Sequence, residues 1–218
     1  MHTVAPQYDM AFRFTYPKRP PNVAILCSNT DHCLRELLWR AKETKELKCE
    51  VPLVISNHEK LKHIADSFDV PFHHLPMTKD NKAEQEQEMR GLLSENNIDL
   101  VVLARYMQIL SPDLCADYHG RVINIHHSFL PAFIGGDPYG QAHHRGVKMV
   151  GATAHFVTSD LDEGPIISQD VARISHRENR KQMIGIGREV ERRVLFDAVR
   201  SWCDDRVFVD HNNKTVVM

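Results

Sequence analysis

The 218 residues set 27 Lys and Arg against 29 Asp and Glu, a net charge of −2 at pH 7 with a pI of about 6.7. That length supports one domain with a proper core and room for a short appendage. The balance excludes a strongly basic nucleic-acid binder and a polybasic membrane-surface protein, and no apolar stretch approaches the roughly 20 residues of a membrane helix.

Residues 1–21 hold Pro6, Pro17, Pro20 and Pro21 with a basic Lys18-Arg19, and read as an extended lead-in rather than core. They also lack the apolar region of a secretory signal. From Asn22 the pattern becomes regular. Residues 23–27 form a short apolar run that ends in Ser-Asn-Thr-Asp, which is turn and N-cap chemistry. A helix follows, with Leu34, Leu37, Leu38 and Ala41 on one stripe. A strand is predicted over 51–56, a short helix over 59–68, and a third strand over 71–75. Asn81 and Glu84 resemble a capping box for a helix bearing Met89, Leu92 and Leu93. The fourth strand is predicted over 99–104.

Strands alternating with helices predict βαβ units and a parallel, doubly wound α/β sheet. Ligands of such sheets bind beyond the carboxyl ends of the strands. Strand-like runs continue over 121–127, 149–157 and 165–174. A long helix is predicted over 179–204, opened by Asn179 and Gln182 and striped by Met183, Ile186, Val190, Val194 and Ala198. Gly185 and Gly187 weaken its first turns. Its broad apolar surface, including Phe196 and Trp202, serves the core or a homo-oligomer interface. The tail around Asp210 and Asn213 reads as a small hairpin.

The densest polar constellation at a strand end is Asn124-Ile125-His126-His127-Ser128. Asn124 and His126, two apart, project from one face of a strand. An amide donor beside an imidazole can stabilise an oxyanion and move a proton. The alternative is a hydrogen-bonded Asn and a satisfied His. Ser159 to Pro165 places carboxylates before a Gly-Pro turn, where a solvated loop is the plain alternative. A carboxylate next to a histidine holds the imidazole protonated longer. The 14 histidines invite a metal. However, no HExxH-type signature appears, and adjacent His126 and His127 face opposite sides of a strand, so no metal site is predicted. The five scattered cysteines form no CxxC pair and fit reduced thiols, hence a cytoplasmic or mitochondrial-matrix location.

Several motifs in order carry a family resemblance. They are Asn124-x-His126-x-Ser128-x-Leu130-Pro131-x-Phe133, Gly151-x-Thr153-x-His155 and Asp162-x-Gly164-x-Ile166-Ile167-x-Gln169. Together they resemble the folate-dependent formyltransferase family. The resemblance implies a Rossmann-like, mostly parallel sheet with helices on both faces. It also implies an Asn124–His126–Asp162 site acting on 10-formyltetrahydrofolate in one-carbon metabolism. Further stretches, among them Cys27 to Leu34 and Leu103 to Ser111, resemble the members that hydrolyse this folate to tetrahydrofolate and formate.

On that resemblance His155 and Thr153 support the site. Arg105, Tyr106, Met107 and Leu110, with Leu161 from the facing loop, wrap the pterin. The folate is substrate, no cofactor or metal is needed, and neither nucleic acid nor membrane is a partner. Amine-accepting relatives have a Gly-rich phosphate loop where this chain has Ser28-Asn29-Thr30-Asp31, and Asp31 is expected to repel a phosphate. Formyl transfer to an amine such as phosphoribosylglycinamide is the alternative, and a non-catalytic folate binder a third reading. Hydrolysing relatives usually carry lysines after Leu-Pro-x-Phe, and 134–137 has none. Residues 22–218 are read as the catalytic domain. Residues 1–21 resemble the linker after an ACT-type regulatory domain, which the chain is read as lacking.

Overall fold

The computed structural model describes Gln7, residues 19–133 and residues 137–218. Most of the lead-in and the lysine-free stretch Ile134, Gly135 and Gly136 lie outside the described residues. Seven strands form one sheet: β1 (Asn22–Cys27), β2 (Glu50–Ser56), β3 (Phe72–His74), β4 (Leu100–Leu103), β5 (Val122–His126), β6 (Met149–Phe156) and β7 (Ile166–Arg173), in the order β3-β2-β1-β4-β5-β6-β7. The first five pair in parallel, whereas β6 runs antiparallel to both neighbours. The expected doubly wound, mostly parallel α/β sheet is therefore present.

Alternation along the strands builds two cores. Val23, Ile25 and Cys27 face one side with Leu100, Val102, Ile123 and Ile125. There they meet α1 (His32–Lys42), α2 (Lys62–Ser67) and α6 (Arg180–Cys203). Ala24 and Leu26 face the other side with Val101 and Leu103. They meet α3 (Lys82–Glu95) and α4 (Pro112–Asp117). Because parallel strands are buried on both faces, their side chains read as continuous apolar runs. β8 (Val207–Val209) and β9 (Thr215–Val217) form the expected antiparallel hairpin. Among the described residues no helix is long and apolar enough to cross a membrane.

Three local expectations change. Asn81 does not cap α3, because its Oδ1 accepts from the Thr78 amide at 2.7 Å and the Thr78 hydroxyl at 3.0 Å. Two helices have no predicted counterpart, α4 and α5 (Pro138–Arg145). Both are short and lack a long stripe, yet each begins with a capping side chain before a proline. Ser111 accepts from Leu114 N–H at 3.3 Å and Asp137 from Gly140 N–H at 3.0 Å. The Asn179–Gln182 capping box of α6 is present.

The apolar stripe of α6 also shifts. Ile186 is half-buried, and Gly187 takes the buried place between Met183 and Val190. A Cβ on Gly187 would stand 1.9 Å from the Tyr139 hydroxyl. The glycine weakens the helix but lets α5 approach α6. Phe196 is buried beneath the Arg40 and Arg200 guanidinium groups, and Trp202, half-buried, donates to the Gly120 carbonyl at 3.3 Å, so both rings pack within the chain. Gly187→Ala is expected to lower stability by about 1–3 kcal/mol through overpacking, read as a fall in the thermal unfolding midpoint.

Candidate active site

The antiparallel step at β5–β6 sets Asn124 opposite His155 and His126 opposite Thr153. These four side chains lie on the face away from Ile123, Ile125, Ala152 and Ala154, which pack under α6. Asn124, His126 and His155 line a cavity of about 260 Å³ beyond the end of β4. Residues 105–110 form one wall, and residues 158–162, the loop between β6 and β7, form the other.

Asp162 enters from that loop. Its Oδ2 lies 3.2 Å from His126 Nδ1, and its Oδ1 lies 3.6 Å from His155 Nε2. The hydrogen bond from His126 first, and the nearby His155 ring second, hold the carboxyl well below the usual carboxylate range, despite burial. It is ionised at neutral pH. An ionised Asp162 fixes the proton on His126 Nδ1, leaving Nε2 as the basic atom of the neutral ring. His126 is buried, and Nε2 has no partner among the described residues.

His155 Nδ1 lies 2.8 Å from the Phe156 carbonyl, which requires a proton there. Its Nε2 lies 3.2 Å from Asn124 Nδ2 and so accepts from the amide when the ring is neutral. One Asn124 N–H remains for a ligand. Asp162 adopts a left-handed backbone with φ 59°, a conformation aspartate tolerates better than most residues. Two residues on, a Cβ at Gly164 would stand 1.7 Å from the Phe156 carbonyl, so only glycine lets the loop return against β6.

The other expected site residues divide. Thr153 Oγ1 donates to the Ser128 carbonyl at 2.9 Å and accepts from the Leu130 amide at 3.0 Å and Gln169 Nε2 at 2.9 Å. Its work is to hold the loop after β5. Tyr106 is buried with its hydroxyl on Met77 Sδ, and Leu110 is buried beside it. Met107, Ile109 and Leu161 stand 55%, 61% and 61% exposed at the cavity mouth. The Met107 amide donates to Ser28 Oγ at 2.9 Å, which in turn donates to Asn57 Oδ1 at 2.6 Å. That chain ties the wall to the ends of β1 and β2.

Arg105 lines this cavity but turns its guanidinium away from it. Nη1 lies 3.4 Å from Glu191 Oε2 of α6. Glu191 also receives Tyr139 Oη at 2.6 Å and His32 Nε2 at 2.9 Å. Burial opposes ionisation of Glu191, but the His32 hydrogen bond and the Arg105 charge outweigh it and hold its pKa low. Tyr139, His32 and Glu191 match no motif and sit over 150 residues apart at the extremes, so only the fold reveals them. His32, Cys33 and Glu191 are close enough to share an ion. The Arg105 cation beside Glu191 and the Cys33 thiol, which burial holds protonated, both oppose one there.

The Asp31 carboxylate, the charge expected to repel a phosphate, accepts from Arg35 Nε at 2.8 Å.

His127 lies behind His126, its ring centroid 5.4 Å away and 5.8 Å from that of Tyr139. Burial first, and the Arg105 charge second, pull its pKa down to about 4. The unfolded chain takes up this proton near the ordinary value of about 6.5, whereas the folded chain resists until about pH 4. The stabilisation from a neutral His127 is therefore intact above about pH 6.5 and lost as pH falls toward 4. His127→Gln is expected to flatten the fall in unfolding free energy across that window by up to about 3 kcal/mol, measured by urea titration at several pH values.

Comparison with known proteins agrees with this geometry. The Formyl transferase family model matches residues 21–199. The formyltetrahydrofolate deformylase of Bacillus subtilis is 49% identical over 215 residues, covering 99% of this chain and 71% of its own length. The crystal structure of a formyltetrahydrofolate deformylase from Pseudomonas syringae superposes with a TM-score of 0.93 at 46% identity, over 100% of this chain and 72% of that one. Phosphoribosylglycinamide formyltransferase from Anaplasma phagocytophilum superposes at 0.84 with 27% identity, over 92% and 95%. The fold, the ordered motifs and these likenesses agree: the chain belongs to the formyl transferase family.

Proposed function

We propose that the protein hydrolyses 10-formyltetrahydrofolate to tetrahydrofolate and formate, with residues 22–218 as the catalytic unit. The carrying observation is the buried His126, its Nδ1 on an ionised Asp162 and its Nε2 unpartnered in a cavity with an apolar mouth. The relatives of nearly half identity bear the deformylase name, whereas the amine-using relative lies much further off.

The flat pterin enters between residues 105–110 and 158–162, against Met107, Leu110 and Leu161. The formyl group then lies against Asn124 and His126. His126 Nε2 takes a proton from water as its oxygen attacks the formyl carbon. Asp162 stabilises the imidazolium that forms. The tetrahedral oxyanion is met by the free Asn124 N–H, in a site where water competes poorly. His126 returns the proton to N10 as the carbon–nitrogen bond breaks. Tetrahydrofolate leaves with N10–H, and the formic acid formed gives its remaining proton to solvent and leaves as formate. His155 holds the Asn124 amide in position beside Asp162 and does not itself touch the reacting atoms. No step calls on a metal or a further cofactor. A cytoplasmic place of action fits five cysteines that are all free.

Formate release from 10-formyltetrahydrofolate without any amine is the expected assay result. Added phosphoribosylglycinamide should leave the rate unchanged. Faster turnover with formylated amine as product would instead establish the transfer reaction. His126→Ala and Asp162→Asn are each expected to lower kcat by roughly 100- to 10,000-fold, with circular dichroism unchanged. Retained turnover in both would overturn these roles.

A further inference from the structure

Beside the catalytic cavity lies a polar chamber of about 200 Å³ that the reaction derived above does not use. Its lining sets the side chains of Arg105, Arg180 and Arg188 against Asp137 and Glu191. Both carboxylates are already engaged. Asp137 accepts from Arg180 at 2.7 Å, and Glu191 takes Tyr139, His32 and Arg105. Arg188 has no ion pair among the described residues. Among the described residues Arg105 Nε is a buried donor with no hydrogen-bond partner, and Arg105 Nη1 has only the long 3.4 Å contact with Glu191.

Buried donors without acceptors are rare and call for a ligand, an ion or water. Water could satisfy the donors but would leave the excess positive charge uncompensated. A small anion does both, and a planar carboxylate matches the guanidinium fork. Arg105 and His127 line this chamber and the catalytic cavity alike, so the two spaces share a wall.

We propose that the chamber is a small-carboxylate subsite, which receives formate through that wall as it leaves the reacting centre, with Arg105 and Arg188 as its cationic partners. The choice of formate rests on the hydrolytic reading, whereas the anion chemistry rests on the lining alone. Such a site moves a charged product off His126 before the next water binds.

Titration of the folate-free protein with carbon-13 formate, followed by NMR line broadening, tests the site without using turnover. Saturable binding is expected. It should weaken at least tenfold in the exposed-side variant Arg188→Glu, weaken less in Arg188→Lys, and stay within twofold in His126→Ala. Inorganic phosphate serves as the competing probe, because a phosphorylated acceptor would present the same charge. Three results overturn the proposal: no saturable formate binding, binding lost in His126→Ala but kept in Arg188→Glu, or phosphate held where formate cannot displace it. Formate release in the hydrolysis assay is read separately, so a protein that binds formate but does not hydrolyse the folate refutes the reaction and not the anion site.

Discussion

The reversal of chain direction between β5 and β6 governs how the polar residues meet. In a parallel pair, a connection would carry the chain back to the same edge, and the two carboxyl ends would lie side by side. Here β6 comes down the sheet instead, so its last residues pair with the start of β5 while Thr153 faces His126 and His155 faces Asn124. The same alternation that buries Ile123, Ile125, Ala152 and Ala154 under α6 turns these polar groups to the opposite side. Core packing and site assembly are thus one constraint, because a slip of one residue in register would exchange them.

The end of β5 then divides the electrostatics. His126 meets the ionised Asp162 on one side, while His127 meets Arg105, Tyr139 and the buried Glu191 on the other. Each carboxylate is ionised, yet each is surrounded by donors rather than water. Arg105 stands between the two groups of residues, its backbone in a left-handed turn with φ 63° and its guanidinium on Glu191. Burying Glu191 would be costly without these partners, and Gly187 makes the approach of Tyr139 possible.

Much of this was legible in the sequence because two periodicities carried it. Apolar runs located the strands, and the long stripe located α6. Asn124 and His126 two apart on a strand announced a shared face. Asp162 was named only through resemblance, since nothing in a loop of Ser159, Asp160 and Asp162 distinguishes the carboxylate that turns inward. Thr153 was placed near the site but reads in the structure as a tie for the loop after β5. Asp31 was legible as a charge but its pairing with Arg35 one helical turn away was not. The Glu191 cluster was illegible because its members come from α1, α5, α6 and the turn after β4, and neither composition nor spacing links them.

Met107, Ile109 and Leu161 leave large apolar surfaces in water at the cavity mouth. The free protein bears the cost of hydrating them, and a flat ligand seated between the two walls removes it. Occupancy therefore carries a thermal signature distinct from that of the polar contacts deeper in. The heat capacity of the system falls as the mouth closes over the ligand, and the enthalpy of association becomes more favourable on warming. The polar floor selects which ligand is accepted, while the apolar mouth sets how strongly temperature alters its hold.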